Sequence, residues 1–151
     1  MTDCIFCKIV SGEIPSVKIW EDDKHIAILD IMPNTEGMTL VIPKQHFDSY
    51  VFDMPRVEYK NFMLATKKAA KYLERGLRVE RVALVMEGLG VNHAHNKLYP
   101  LHGLSKKFVE TWAPEKIYFE KYQGYLSTQI GQQKSIEELQ KVANKIKLNN
   151  K

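Results

Sequence analysis

Apolar and polar positions alternate along Val17-Lys18-Ile19-Trp20-Glu21, the two-residue period of a half-buried strand, and Asp22-Asp23 turns it. Ile26-Ala27-Ile28-Leu29-Asp30-Ile31 reads as a second strand ending on a carboxylate. Met32 to Gly37 is a loop bounded by Pro33 and Gly37, and Met38 to Ile42 is a third strand stopped by Pro43. Three strands with short connections predict an antiparallel meander. The period then lengthens. Tyr59, Phe62, Met63, Thr66, Ala70 and Leu73 recur at helical spacing, with Asp53 as cap, Pro55 in the first turn and Gly76 as the stop after about Arg75. This Met and aromatic stripe reads as core rather than as a cofactor box. Val82 to Met86 predicts a fourth, well-buried strand, and after the Gly88-Leu89-Gly90 turn His93 to Pro100 is read as the fifth.

The pattern changes after Leu101. Phe108, Trp112, Tyr118 and Phe119 stand among charges, and Tyr122-Gln123-Gly124-Tyr125 has the composition of a packed turn. Ser135 and Glu138 form a capping box for a last helix carrying Ile136, Leu139, Val142, Ala143 and Ile146 on one face. The expectation is an α+β protein, with a main body over residues 1–103 and an extension over 104–151 packed on the same domain. Trp112 and its aromatic neighbours either pack that extension down or rim a substrate pocket.

Composition narrows the function. The 151 residues, 44% hydrophobic and 26% charged, suit one globular domain. A net charge of +4 is mild, and the lysines are scattered apart from the doublets Lys67-Lys68 and Lys106-Lys107. A nucleic-acid partner, which calls for a basic stripe, is not expected, whereas a small anionic ligand fits. No apolar run approaches the roughly 20 residues of a membrane span. No charged segment followed by an apolar stretch opens the chain. No membrane association is expected, and the location expected is cytoplasmic. Cys4 and Cys7 are too few for a disulfide framework. Their C-x-x-C spacing reads as half of a zinc site, as a redox pair, or as two small buried residues. A redox pair should follow a buried strand, yet only three residues precede Cys4.

The candidate chemistry lies between Val91 and Pro100. In extended conformation His93, His95, Lys97 and Tyr99 share one face, with neighbours along that face about 7 Å apart. Such a row suits metal ligation combined with attack on a phosphate, or simply a solvated strand. His46 follows the third strand and His93 opens the last. Adjacent antiparallel strands could bring both to the cysteines and complete four metal ligands. His25 follows charges in a turn and is expected to be solvated, while His102 could flank the mouth of a site.

Cys4-x-x-Cys7, the strand ending Leu29-Asp30-Ile31, Val41-Ile42-Pro43-Lys44-Gln45-His46 and His93-Ala94-His95, in that order, resemble the histidine triad superfamily of nucleotide hydrolases and transferases. The resemblance runs from about Cys4 to Pro100, and the tail is similar to that of bacterial zinc-containing dinucleoside tetraphosphate hydrolase-like members. It implies a five-stranded antiparallel sheet with a main amphipathic helix, a C-terminal helical extension, and pairing into a homodimer. It implies a structural zinc ion on Cys4, Cys7, His46 and His93. His95 would be the nucleophile that takes up a nucleotidyl group, Asp30 would bind the ribose hydroxyls, and Phe6, Ile9 and Ile31 would line the base pocket. The chain departs from the pattern at Lys97, where the third histidine usually stands. It departs again at Leu89 and Gly90, which replace a glutamine and a hydroxyl residue, and at Met86 or Glu87, where an asparagine is usual. The implied function is hydrolysis of dinucleoside polyphosphates or nucleoside phosphoramidates, with His95 and Lys97 as the catalytic pair. Nucleotidyl transfer and a catalytically weakened nucleotide-binding dimer are the alternatives.

Overall fold

The computed structural model of the protein describes residues 3–127. Five strands form one sheet: β1 Lys18–Glu21, β2 His25–Leu29, β3 Thr39–Pro43, β4 Val82–Val85 and β5 Asn96–Pro100. Their order is β1-β2-β3-β5-β4, and every pairing is antiparallel. Helix α1 spans Ile5–Ser11 and helix α2 spans Arg56–Leu77. The expected α+β architecture and meander are therefore present, with β5 inserted between β3 and β4.

Alternation along the strands sorts two cores onto the two faces of the sheet. Ala27, Val41 and Leu98 meet Phe62, Ala69 and Leu73 of α2. Ile26, Ile28, Leu40 and Ile42 meet Phe6 of α1 on the other face. With both faces covered, β3 is buried along its whole length, which explains why it reads as an unbroken apolar run. One polar chain crosses the first core. Asn96 Nδ2 donates to Thr66 Oγ1 at 2.8 Å, and that hydroxyl donates to the Phe62 carbonyl at 2.8 Å.

Several expectations change at the ends of elements. A proline keeps its predecessor out of the helical region; Met54 is accordingly extended (φ −65°, ψ 140°), and Asp53 belongs to a separate 3-10 turn, Val51–Asp53. Helix α2 begins at Arg56 with Pro55 as its N-cap. Gly76 does not stop the helix, because Leu77 beyond it still packs on the core. The stop is Arg78, held in the left-handed region at φ 54°. Strand β4 is a half-buried edge rather than a well-buried strand.

Strand β5 starts at Asn96, not at His93. The backbone ahead of it turns through His93 N–H to Val91 C=O, and Ala94 N–H bonds the Phe47 carbonyl. His25, expected in solvent, is only 4% exposed. It opens β2, stacks on Phe62 with ring centroids 6.0 Å apart, and has Nδ1 3.1 Å from Asp22 Oδ1. Helix α1 is an element the sequence pattern does not predict, and it ends on Gly12 in the left-handed conformation.

The chain divides into two compact units, Met1–Phe108 and Val109–Lys151. Residues 109–127 contain no helix or strand, and the expected helix after Ser135 lies outside the described residues. Among the described residues no helix is long and apolar enough to cross a membrane.

Two stability measurements follow. Phe62→Ala removes a fully buried ring shared by α2 and His25, and should cost about 3–5 kcal/mol in denaturant unfolding. Arg78→Gly should raise stability by about 1 kcal/mol, because only a residue without a Cβ adopts the left-handed cap without steric cost.

Candidate functional site

The site is assembled where β3 ends and the lead-in to β5 begins, two points made neighbours by antiparallel pairing. Cys4 is the N-cap of α1 and Cys7 follows within its first turn, so both thiols lie at one end of that helix. Cys4 Sγ stands 3.4 Å from His93 Nδ1, and Cys7 Sγ stands 3.5 Å from the same nitrogen and 3.3 Å from His46 Nδ1. All four donor atoms lie within 4.8 Å of one another. In a tetrahedron with bonds of about 2.3 Å to sulfur and 2.05 Å to nitrogen, the sulfur–nitrogen edge is roughly 3.6 Å. The three sulfur–nitrogen contacts are close to that edge, and a Cys2His2 donor set can hold a metal ion.

The other nitrogen of His93 fixes the ligand atom. Nε2 donates to the Pro43 carbonyl at 2.9 Å, which leaves the Nδ1 lone pair for the metal position. His93 is fully buried, and burial depresses its pKa more than that carbonyl restores it, so the ring is neutral, the form that metal ligation would require.

A second set of bonds ties together the loops that carry His46 and His93. Asn92 Nδ2 donates to Asp48 Oδ1 at 3.0 Å, while its Oδ1 accepts the Ser49 N–H at 3.0 Å. Ser49 Oγ donates to the Gly88 carbonyl at 2.6 Å. Gly88 lies at φ +73°, and a Cβ there would come within 2.9 Å of the Ser49 carbonyl oxygen, so this close approach requires glycine. Of these clamp residues the sequence marks only Gly88, as part of a turn; an Asn beside a His carries no signal without its partner loop.

His95 comes next. Its Nδ1 lies 2.8 Å from the His93 carbonyl, which can only accept; Nδ1 therefore carries the proton and Nε2 the lone pair. The ring is buried and edge-on to Phe6, with centroids 5.3 Å apart. Burial lowers its pKa and is the largest influence; the His93 carbonyl raises it, the Lys97 charge lowers it, and the charges of Glu87 and Asp30 raise it. His95 is thus a neutral imidazole at pH 7.

Lys97 does not project alone. Its Nζ pairs with Glu87 Oε2 at 3.0 Å, with the two side chains only 23% and 12% exposed. The register explains the meeting: Lys97 of β5 lies opposite Val85 of β4, and Glu87 is two residues further along. Glu87 is the functional candidate that the sequence understated, visible there only as one of two positions aligned with a lost asparagine.

Asp30 is half-buried, on the same side of β2 as Ile26 and Ile28, and its Oδ1 accepts the Met32 N–H at 2.8 Å. Ile9 is partly buried against the Phe6 cluster, whereas Ile31 is 88% exposed. His102 is held by the Glu36 carbonyl at 3.0 Å. Phe6, Asp30, His95 and Lys97 therefore share the α1 side of the sheet, and His25 lies on the α2 side.

This arrangement has relatives. The family model of the HIT domain matches residues 11–103. The chain is 39% identical over 101 residues to the HIT-like protein MJ0866 of Methanocaldococcus jannaschii, covering 64% of this chain and 78% of that one. It is 32% identical over 124 residues to adenosine 5'-monophosphoramidase HNT1 of Saccharomyces cerevisiae, covering 78% and 75%. Among solved structures, SMU.412c from Streptococcus mutans UA159 superposes with a TM-score of 0.71 at 29% identity, over 100% of this chain and 87% of that chain. With the sheet, the donor cluster and the two histidines in place, the chain belongs to the HIT domain family.

Proposed function

We propose that the protein is a nucleotidyl hydrolase that cleaves dinucleoside polyphosphates or nucleoside phosphoramidates through a nucleotidyl-His95 intermediate. The observation that carries this reading is the 2.8 Å bond from His95 Nδ1 to the His93 carbonyl, which holds a neutral ring with its Nε2 lone pair available. Nε2 attacks the α-phosphorus, and the bond from phosphorus to the leaving group breaks. Water then forms a bond to phosphorus, the P–N bond breaks, and its electron pair returns to Nε2 while the proton passes to solvent. Phosphoryl-type transfer depends chiefly on positioning and on charge stabilisation, and a lysine beside the nucleophile supplies the second. The phosphoramidase name of the yeast relative supports a nucleotide substrate.

Asp30 takes the ribose hydroxyls in this reading, and Phe6, Ile9 and Ile31 contact the base. Ile31, exposed beside Asp30, would be covered by a bound nucleoside. The ion proposed for Cys4, Cys7, His46 and His93 is zinc, supported by the mixed thiol and imidazole donors gathered within 4.8 Å of one another. Its role is structural: it joins the N-terminus of α1 to the loops that place His93, and through the His93 carbonyl it fixes His95. A homodimer formed through an edge strand or through α2, acting in the cytoplasm, completes the proposal.

Two experiments test it. His95→Ala should abolish the nucleotidyl adduct seen by mass spectrometry with dinucleotide substrates and lower cleavage by more than about a thousandfold, with metal content and fold retained. Wild-type rates in that variant would refute the nucleophile. Cys7→Ser should lose the metal and melt far below wild type, because structural zinc contributes on the order of 10–16 kcal/mol of apparent binding energy at pH 7. Less than half an equivalent of zinc in wild-type protein purified without chelator would count against the metal.

A further inference from the structure

Departure of a leaving group from phosphorus raises a question of charge. A phosphate or other acidic oxygen can leave as an anion, whereas an amine must receive a proton before or during P–N cleavage. The side chain two residues beyond His95, on the same side of the sheet, can offer that departure either a proton or a fixed charge. Here that group is the Lys97 ammonium, bound at 3.0 Å by the Glu87 carboxylate. Transferring its proton to a leaving amine would break the pair and leave a partly buried carboxylate facing a neutral amine, the costly outcome for a buried ion pair. The ammonium therefore acts as a fixed positive charge rather than as an acid. Among the described residues the nearby carboxylates are already employed: Glu87 pairs with Lys97, and Asp30, whose Oδ1 accepts the Met32 N–H, is the group proposed to hold the ribose hydroxyls. His102 is turned to the Glu36 carbonyl.

We infer that the Lys97–Glu87 pair makes this site selective for nucleotidyl anhydrides, whose leaving group departs as an oxyanion, over nucleoside phosphoramidates, whose leaving amine needs a proton. The inference rests on the His95 reading above and narrows its substrate class. In the first step the Nε2–P bond forms while the P–O bond to the leaving oxyanion breaks and takes the electron pair with it. The accumulating negative charge meets the Lys97 ammonium, and no proton is transferred. In the second step water replaces the imidazole, the P–N pair returns to Nε2, and the water proton goes to solvent. Glu87 acts as a positioning residue that holds the ammonium beside His95.

The test compares diadenosine tetraphosphate with an adenosine 5'-phosphoramidate of a simple alkylamine on wild type and Lys97→His. Metal content and adduct formation are followed for both. A leaving-group acid contributes about 10²–10⁴ in rate, so wild type should favour the anhydride by at least about a hundredfold in kcat/KM. Lys97→His, with Glu87 retained to hold a protonated imidazole, should shrink that ratio at least about tenfold by raising phosphoramidate cleavage. Among anhydrides, wild-type rates should fall steeply as the leaving group becomes more basic. Equal cleavage of the two substrates by wild type would overturn the selectivity, even with the His95 adduct present. An unchanged ratio in a folded, metal-loaded Lys97→His would overturn the role of the pair. Absence of both cleavage and adduct with every substrate would instead refute the nucleophile, and this inference with it.

Discussion

His93 is the residue on which the site depends, because each of its polar groups is committed to a different task. Its Nδ1 faces the two thiols, its Nε2 is tied to the Pro43 carbonyl at the end of β3, its N–H closes a turn on Val91, and its carbonyl takes the proton of His95. A fully buried imidazole has no water to satisfy it, so this set of partners determines where the ring can sit. The tautomer of His95 follows from that placement rather than from anything in the His95 side chain. The Cys2His2 cluster and His95 are thus one bonded unit joined through the backbone of a single residue.

Much of this was legible in the chain. Period-two alternation located the strands, and the helical stripe from Tyr59 to Leu73 located α2 and its buried face. The Cys4-x-x-Cys7 spacing with His46 and His93 at strand ends pointed to the donor cluster that the fold assembles. What remained hidden depended on contacts between distant segments. His25 follows polar residues and reads as solvated, yet Phe62, far along the chain, provides the ring it stacks on. Arg78 gives no sign of a left-handed conformation, because the cap is imposed by where Leu77 packs. Glu87 gained meaning only when the register of β4 and β5 set it beside Lys97.

The electrostatic character of the site differs from what a list of its residues implies. Lysine at position 97, taken alone, adds a cation to a phosphate site. Paired with Glu87 it adds a dipole whose positive end is fixed in direction, with little change in net charge. Under the proposed chemistry such a site would attract polyanions less strongly from a distance than a bare lysine would, and would discriminate more by where charge develops during reaction.

The position of β5 in the sheet bears on how the molecule forms. It is the last strand in sequence among the described residues, yet it lies between β3 and β4. Until it is in place, β3 exposes an unpaired edge and β4 has no neighbour, so a nascent chain ending before Asn96 presents the kind of open strand that invites aggregation. The same strand continues directly from His93 and His95 and carries Lys97. Completion of the sheet and assembly of the row His93, His95 and Lys97 are therefore a single late event during synthesis, and a truncation that removes this row also removes the closing strand of the fold.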